Sequence, residues 1–532
     1  MTSALVRFAA LVAVTTLLGL SAACSAPSTS DGPGGNARQA AAGDGFVLGL
    51  SSEPDNLNPV LGYAPDGGSL IFDGLVSRTA DLELKPALAA ELPKTDDAGT
   101  TVTFRLRTDV RFHDGTPLTS ADVAYTYQAL LDEKNNSSLR SDYAAIKSVE
   151  APDPETVVFH LKYPYAAFLQ RATLGIVPER SLDRPDFNTR PVGTGPYRFV
   201  SWTPGDKIVL EADPSYWNGA PAIKNLVLAY AADDNVRATR MAAGEFDAAV
   251  LAPKAAARFD GTAGMTVYRV PSADYRGVMF PMEAPVTGDK AIRKAISLAL
   301  DRSAMVKTIL AGAGSAAFGP VAPGTSWHNA AVRGSDTADQ AQAVQVLEQA
   351  GWQAGPDGIR VKDGTPARFA LMYPAGDSLR KELALAVASD AKRVGIDIEL
   401  AGLDWDAIYP RMAKDALIMG YGTPFDPDHT NYELFHSDFV GQEPFNPARY
   451  RDSEVDALLE RGRRTADPAE RKQAYDAFQQ RIRDEEPWVY LVYLQHVYVV
   501  RGEWTGITPS VEPHEHATGG LFRDIAEWKP AS

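Results

Sequence analysis

Alternating apolar and polar positions mark out the strands of this chain. In TVVFHLK, Val157, Phe159 and Leu161 share one face while Val158 and His160 take the other. FVLGLS from Phe46 and TVTFRLR from Thr101 also read as strands. Helical spacing appears elsewhere. PLTSADVAYTYQALLDE opens with Thr119 and places Asp122 three residues on, a capping-box start. A second helix runs through Val344 and Leu347 and stops at Gly351, a natural C′ residue. SLRKELALAVASDAKRVGIDIEL predicts a helix ended near Gly395 and then a strand alternating through Ile396, Ile398 and Leu400. In ADPAERKQAYDAFQQRIRDEE, Asp467 is the predicted N-cap, Pro468 sits at N1 and Glu470 at N3. Tyr475, Phe478 and Ile482 then fall on one helix face. WVYLVYLQHVYVVRG, from Trp488, is too continuously apolar for a half-exposed strand and predicts one covered on both faces. The mixture is α/β, and a C-terminal strand after a long helical stretch predicts a return to the first half of the fold.

The N-terminal pattern is different. Arg7 precedes an apolar run from Phe8 to Leu20 that is short of the roughly 20 residues a membrane span needs. Small residues then lead to Cys24, the only cysteine, so no intramolecular disulfide forms. This reads as an export signal over 1–23. Residues 24–43, rich in Ser, Pro, Gly and Ala, read as a flexible tether. The remaining body of about 490 residues is long for one core and predicts two or more lobes.

Charge narrows the partners. The net charge is −16 with acids and bases interleaved, and no basic stripe is present, which disfavours nucleic acid. Candidate chemistry is sparse. His113 and Asp114 adjoin, and neighbours on a strand point to opposite faces, so an Asp-Gly turn accounts for them better than a catalytic pair. No nucleophile elbow, P-loop, zinc-protease helix or dinucleotide fingerprint is found. His514 and His516 share one strand face at a spacing that suits a metal, with a polar surface hairpin as the other reading. His429 and His436 are seven residues apart and do not converge on one ion. No enzymatic constellation and no cofactor are implied.

The stretch TFRLRTDVRFHDGTPLTSADVAYTY resembles the family 5 solute-binding proteins of bacterial ABC importers, the oligopeptide, dipeptide and nickel-chelate group. SEPDNLNPV lies before it near the mature start, and PVGTGPYRFVSW, ADPSYWNG, AIRKAISLALDR, VLEQAGW and FDPD come after it, all in the family's order. The resemblance implies a two-lobed periplasmic-binding-protein-like clamshell of mixed sheets flanked by helices, with an extra subdomain in the first lobe. It places lobe I at 44–276 plus 490–532 and lobe II at 277–489. It also implies a monomeric, extracytoplasmic binder on the outer face of the cell membrane or in the periplasmic space. Such a binder is lipid-anchored through Cys24 and delivers its ligand to a permease and ATPase complex. A ligand-presenting receptor for signalling is the alternative role.

Ligand class stays open at this level. Peptide binders hold the peptide amine with an Asp four residues before the motif's Pro, where this chain has Thr423. Nickel-chelate binders carry Trp-Gly-x-Pro-Tyr-Asp-Pro-His, and here the run is Tyr421-Gly422-Thr423-Pro424-Phe425-Asp426-Pro427-Asp428, with His429 one place late. The resemblance makes Tyr421 and Phe425 cleft walls and places Thr423, Asp426, Asp428 and His429 in the site. Arg140 is the candidate for a ligand carboxylate, with Arg171 second. A peptide or peptide-like ligand is the broader expectation and a metal chelate the alternative, for which His429, His514 and His516 are the candidate ligands.

Overall fold

A computed structural model describes residues 45–442, 445–514 and 518–531. Its main sheet has eleven strands. From one edge the order is Asp397–Leu403, Arg368–Pro374, Ala416–Tyr421, Met265–Met279, Trp488–Arg501, Ala248–Leu251, Phe46–Leu50, Asn225–Tyr230, Lys207–Ala212 and Tyr197–Thr203. Gly314–Ala316 pairs beside Trp488–Arg501. A separate four-stranded antiparallel sheet carries Thr101–Arg105 and Thr156–Leu161, and forms an added unit in the first half of the chain.

Two antiparallel strands, Met265–Met279 and Trp488–Arg501, run through both halves of the fold. Their register breaks between Pro271 and Tyr275, where Pro271 has no N–H to give. The buried apolar clusters change hands at the same place. Val270 and Val497 pack with residues of the first half, whereas Ala273 and Leu494 pack with those of the second. The result is two lobes, each with its own core, joined by a pair of crossing strands.

The local patterns fold as their chemistry dictates. Val157, Phe159 and Leu161 are buried while Val158 and His160 are half-buried. Helix Ser120–Leu131 is started by Asp122, whose carboxylate accepts from the Thr119 N–H at 2.8 Å. Helix Gln340–Gln349 is followed by Gly351 at φ +89°, a left-handed turn that glycine adopts without strain. Helix Pro468–Glu485 is capped by Asp467 and buries Tyr475, Phe478 and Ile482. Trp488–Arg501 is buried over nearly its whole length, with Gln495 and His496 half-buried. His113 and Asp114 do not face each other. His113 Nε2 lies 2.9 Å from the Gly195 carbonyl, and Asp114 accepts from the Thr116 N–H, closing the turn. Among the described residues no helix is long and apolar enough to cross a membrane.

Candidate functional site

The strand Ala416–Tyr421 ends in a loop that turns back through Asp426 into helix Asp428–Phe435. Gly422 makes the turn possible. It sits at φ +136°, and a Cβ there would lie 2.0 Å from the Ala273 carbonyl oxygen. Thr423 Oγ1 accepts from the Phe425 N–H at 3.2 Å, and Asp426 Oδ1 accepts from the Asp428 N–H at 3.0 Å, an Asx turn.

Both acids of this loop are fully engaged. Arg471 grips Asp426 through two bonds of 2.9 Å. Arg463 grips Asp428 the same way, at 2.9 Å twice, and the Tyr165 hydroxyl donates to Asp428 at 2.7 Å. Burial pushes the Asp428 carboxyl up, but Arg463, Arg171 and the hydroxyl outweigh it and hold the group down at about 2. A two-point fork on a planar carboxylate is the strongest common ion-pair geometry. It ties Asp426 and Asp428 to protein partners rather than to a ligand.

The loop also carries the contacts between lobes. His429 Nε2 lies 2.5 Å from Asp66 of the first lobe. The Arg78 guanidinium stands 3.6 Å above the Phe425 ring, the geometry of a cation–π pair. Tyr165, which reaches Asp428, is itself held by Arg171 at 3.0 Å. Ser141 donates to Glu433 across the same boundary. Burial and the nearby Asp142 push the Glu433 carboxyl up to about 8, so this acid holds its proton at neutral pH.

A cavity of about 520 Å³ opens beside these contacts. Glu83 and Gln170 line it from one lobe, and Trp327, Pro424 and Phe425 from the other. The volume suits a small organic ligand or short peptide, and concave sites of this size are usual for such ligands. Tyr421 lies on the hinge side of the loop, half-buried, with its ring 6.0 Å from both Trp488 and His514.

A second polar group sits where the crossing strands lose register. Asp274 contacts His514 Nδ1 at 2.8 Å and His496 Nε2 at 3.0 Å, and also takes a bond from Arg276. His496 Nδ1 is 2.6 Å from Glu512. Burial lowers the His496 pKa, but the two flanking carboxylates outweigh it and lift it to about 10, which keeps the ring cationic. Arg380, in the first turn of helix Ser378–Lys392, bonds Asp377 beside this group. Sequence patterning did not single out Asp274, Arg276, Arg380 or Glu433. The available signal was Asp274-x-Arg276 in the buried end of strand Met265–Met279, since a buried charged residue there demands a partner.

Tyr421, Thr423, Phe425, Asp426, Asp428 and His429 therefore lie along one stretch at the lobe boundary, from the end of strand Ala416–Tyr421 to the first turn of helix Asp428–Phe435. Arg140 is elsewhere: its half-exposed guanidinium pairs with Glu133 at 2.7 Å. Arg171 is the arginine that enters the boundary, buried against Asp142 at 2.7 Å. Residues 1–23, Cys24, the 24–43 segment and His516 lie outside the described residues. Among the described residues no group of three His, Cys, Asp or Glu side chains could hold a metal ion. His514 is joined to Asp274, and its backbone N–H donates to Gly422.

Known proteins share this architecture. The chain is similar to Protein XP55 of Streptomyces lividans, 46% identical over 495 residues that cover 92% of this chain and 90% of the relative. It is similar in structure to NikZ from Campylobacter jejuni solved with Ni(L-His), with a TM-score of 0.84, 27% identity, and 91% and 99% of the two chains covered. It is also similar to AppA from Bacillus subtilis solved with a nonapeptide, with a TM-score of 0.81, 25% identity, and 92% and 99% covered. A family profile described as bacterial extracellular solute-binding proteins, family 5 Middle, matches residues 83–442. With two lobes and a cavity lined from both of them, the chain belongs to the family 5 bacterial extracellular solute-binding proteins, the substrate-binding components of ABC transporters.

Proposed function

We propose that this protein captures a peptide or peptide-like ligand between its two lobes and passes it to an ABC permease. In this reading it is a monomer tethered to the outer membrane face through a lipid on Cys24. Lobe I (44–276 plus 490–532) and lobe II (277–489) close about the two crossing strands. The observation that carries the reading is the cavity of about 520 Å³ walled by both lobes, with Phe425 on one side and Glu83 and Gln170 on the other. Ligand favours closure only through contacts it makes better in the closed state, and a cavity shared between lobes supplies such contacts. AppA, solved with a nonapeptide, supports a peptide.

A metal chelate is the second reading, favoured by the similarity to NikZ solved with Ni(L-His). In that case His429 is the metal-facing side chain and must exchange Asp66 for the metal. His436 has no part in it, because its ring is stacked on Tyr432 at 4.7 Å.

Native mass spectrometry of freshly purified protein tests the proposal, since ligands enclosed between lobes survive mild purification. A retained peptide mass supports capture of peptides, and a nickel-containing mass supports the chelate reading. Protein that retains nothing and takes up neither a peptide library nor nickel with L-histidine sinks both. Tyr421→Ala is expected to weaken the ligand seen there by about ten-fold with the melting temperature little changed. Unaltered affinity by calorimetry would remove Tyr421 from the site.

A further inference from the structure

Four acids of the lobe boundary each meet a base. Asp66 lies against His429, Asp142 against Arg171, Asp426 against Arg471 and Asp428 against Arg463. A fifth, Glu433 of the second lobe, forms no ion pair among the described residues. Its carboxyl takes the Ser141 hydroxyl of the first lobe instead. Asp142 directly follows Ser141, so the closed lobes bring a carboxyl from each side to one place.

One base serves both. Arg171, 2% exposed, lies 2.7 Å from Asp142 through Nη2 and gives Nε to the Tyr165 hydroxyl at 3.0 Å. Its Nη2 also reaches the His429 carbonyl of the second lobe at 3.5 Å. Its donors are therefore committed before Glu433 arrives.

The remaining neighbours leave Glu433 unmatched. On its own helix, Asp428–Phe435, Asp428 is held by Arg463, and His429 by Asp66. Helix Ser453–Arg464 contributes Arg463, closed on Asp428, and Glu460, which meets Tyr432, Arg464 and His436. Strand Ala416–Tyr421 contributes the Tyr421 hydroxyl, which burial keeps protonated. The first lobe contributes Ser141, Asp142, Tyr143, Tyr165 and Arg171, and burial keeps both of those tyrosines protonated as well. Burial pushes Asp66 and Asp428 up, but their bases outweigh it and hold both at about 2, so neither changes charge near neutral pH. Burial and Asp142 push Glu433 the other way, up to about 8.

We propose that Ser141, Asp142 and Glu433 form a proton-dependent latch between the lobes, engaged when Glu433 is protonated and released when it ionises. The inference rests on the two-lobe closure of the binding reading above and adds a control on it. When the lobes part, Glu433 moves into water away from Asp142 and gives its proton to solvent. Closure takes a proton back from solvent, because a second carboxylate beside Asp142 has no base to meet it. The closed state holds this proton more tightly than the open one. The latch is therefore complete below about pH 4.5 and is lost as pH rises through about 8. Between those values closure weakens by up to about ten-fold per pH unit, and ligand capture takes up a proton.

The test follows the mature protein by small-angle X-ray scattering without ligand. Equilibrium dialysis then measures two probes, a tripeptide library and nickel with L-histidine, at pH 6 and pH 8. The ligand-free wild type is expected to have a smaller radius of gyration at pH 5.5 than at pH 9. Glu433→Gln keeps a partner for Ser141 and cannot ionise, so it should stay compact at both. Asp142→Asn frees Arg171 for Glu433 and should blunt the response. Circular dichroism shows whether each variant is folded. Whichever probe binds, its affinity should fall from pH 6 to pH 8 by at least about ten-fold more in the wild type than in Glu433→Gln. A wild-type radius that ignores pH overturns the latch and leaves ligand capture standing. A response that a folded Glu433→Gln retains also overturns it, and assigns the effect to the His429–Asp66 contact. If neither probe binds at either pH, the binding reading falls, while the scattering comparison still decides the latch.

Discussion

Two pairs of buried arginines lie at the boundary between the lobes, and they are bonded in opposite ways. Arg463 and Arg471 each close a two-point fork on an aspartate, Asp428 and Asp426, and use Nε as well. Arg276 and Arg380 each touch their aspartate through one nitrogen and leave Nε unbonded among the described residues. The first pair is committed to the two aspartates of the loop and fixes its shape. The second pair keeps Nε donors that no described residue takes up. Buried charge is therefore informative only after its bonds have been counted, because the same residue type is saturated in one place and under-bonded in another.

The comparison is tested most severely at Arg463. Arg463→Ala strands the wholly buried Asp428 carboxylate and is expected to cost about 3–5 kcal/mol by chemical denaturation. A loss below about 1 kcal/mol would show that the fork is not a brace. The pH profile comes next. Glu433 titrates at about 8 in the folded protein against an ordinary 4.5, so the folded state holds this proton more tightly than the unfolded chain. No penalty exists below about pH 4.5, and the fold is progressively weakened as pH rises from there to about 8. Glu433→Gln removes the penalty, so its melting temperature should match the wild type near pH 4 and exceed it at pH 8. A gap of the same size at both ends would refute the assignment. A smaller effect is expected from Arg380→Gln, which removes one side-chain bond to Asp377 and should change stability by less than about 1 kcal/mol. Destabilisation on the scale of Arg463→Ala would make Arg380 a brace too. Least of all, Arg140→Ala removes a half-exposed pair with Glu133 and should alter stability by under about 0.5 kcal/mol. Ligand affinity should also stay unchanged, and a ten-fold loss would return Arg140 to the site.

Much of the fold was legible because it depends on short-range regularity. The face alternation of Val157, Phe159 and Leu161, the cap at Asp467 and the left-handed Gly351 are properties of a few adjacent residues. The candidate loop was legible too, since Tyr421 to His429 carry a recognisable run of residue types. Their partners were not. Asp428 occupies the place of a metal-binding histidine in the resembling motif, and only the arrival of Arg463 and Tyr165 from distant segments shows that it is neutralised in place. Arg140 stood ahead of Arg171 as the candidate for a carboxylate, and only the fold shows that Arg140 is half-exposed while Arg171 is buried at the lobe boundary.

By itself, then, the sequence determined the α/β class, the places where helices and strands begin and end, and the loop that forms a wall of the cleft. These follow from periodicity and backbone preference, which act between neighbours in the chain. The tertiary structure decided which charges are consumed and which remain available. Asp274 and Arg276 share one crossing strand, and His496 of the other strand and His514 of the C-terminal segment reach Asp274 only when these segments pack together. Coulomb and hydrogen-bond energies depend on separation in space and on exclusion of water, and neither quantity is written in the order of the residues.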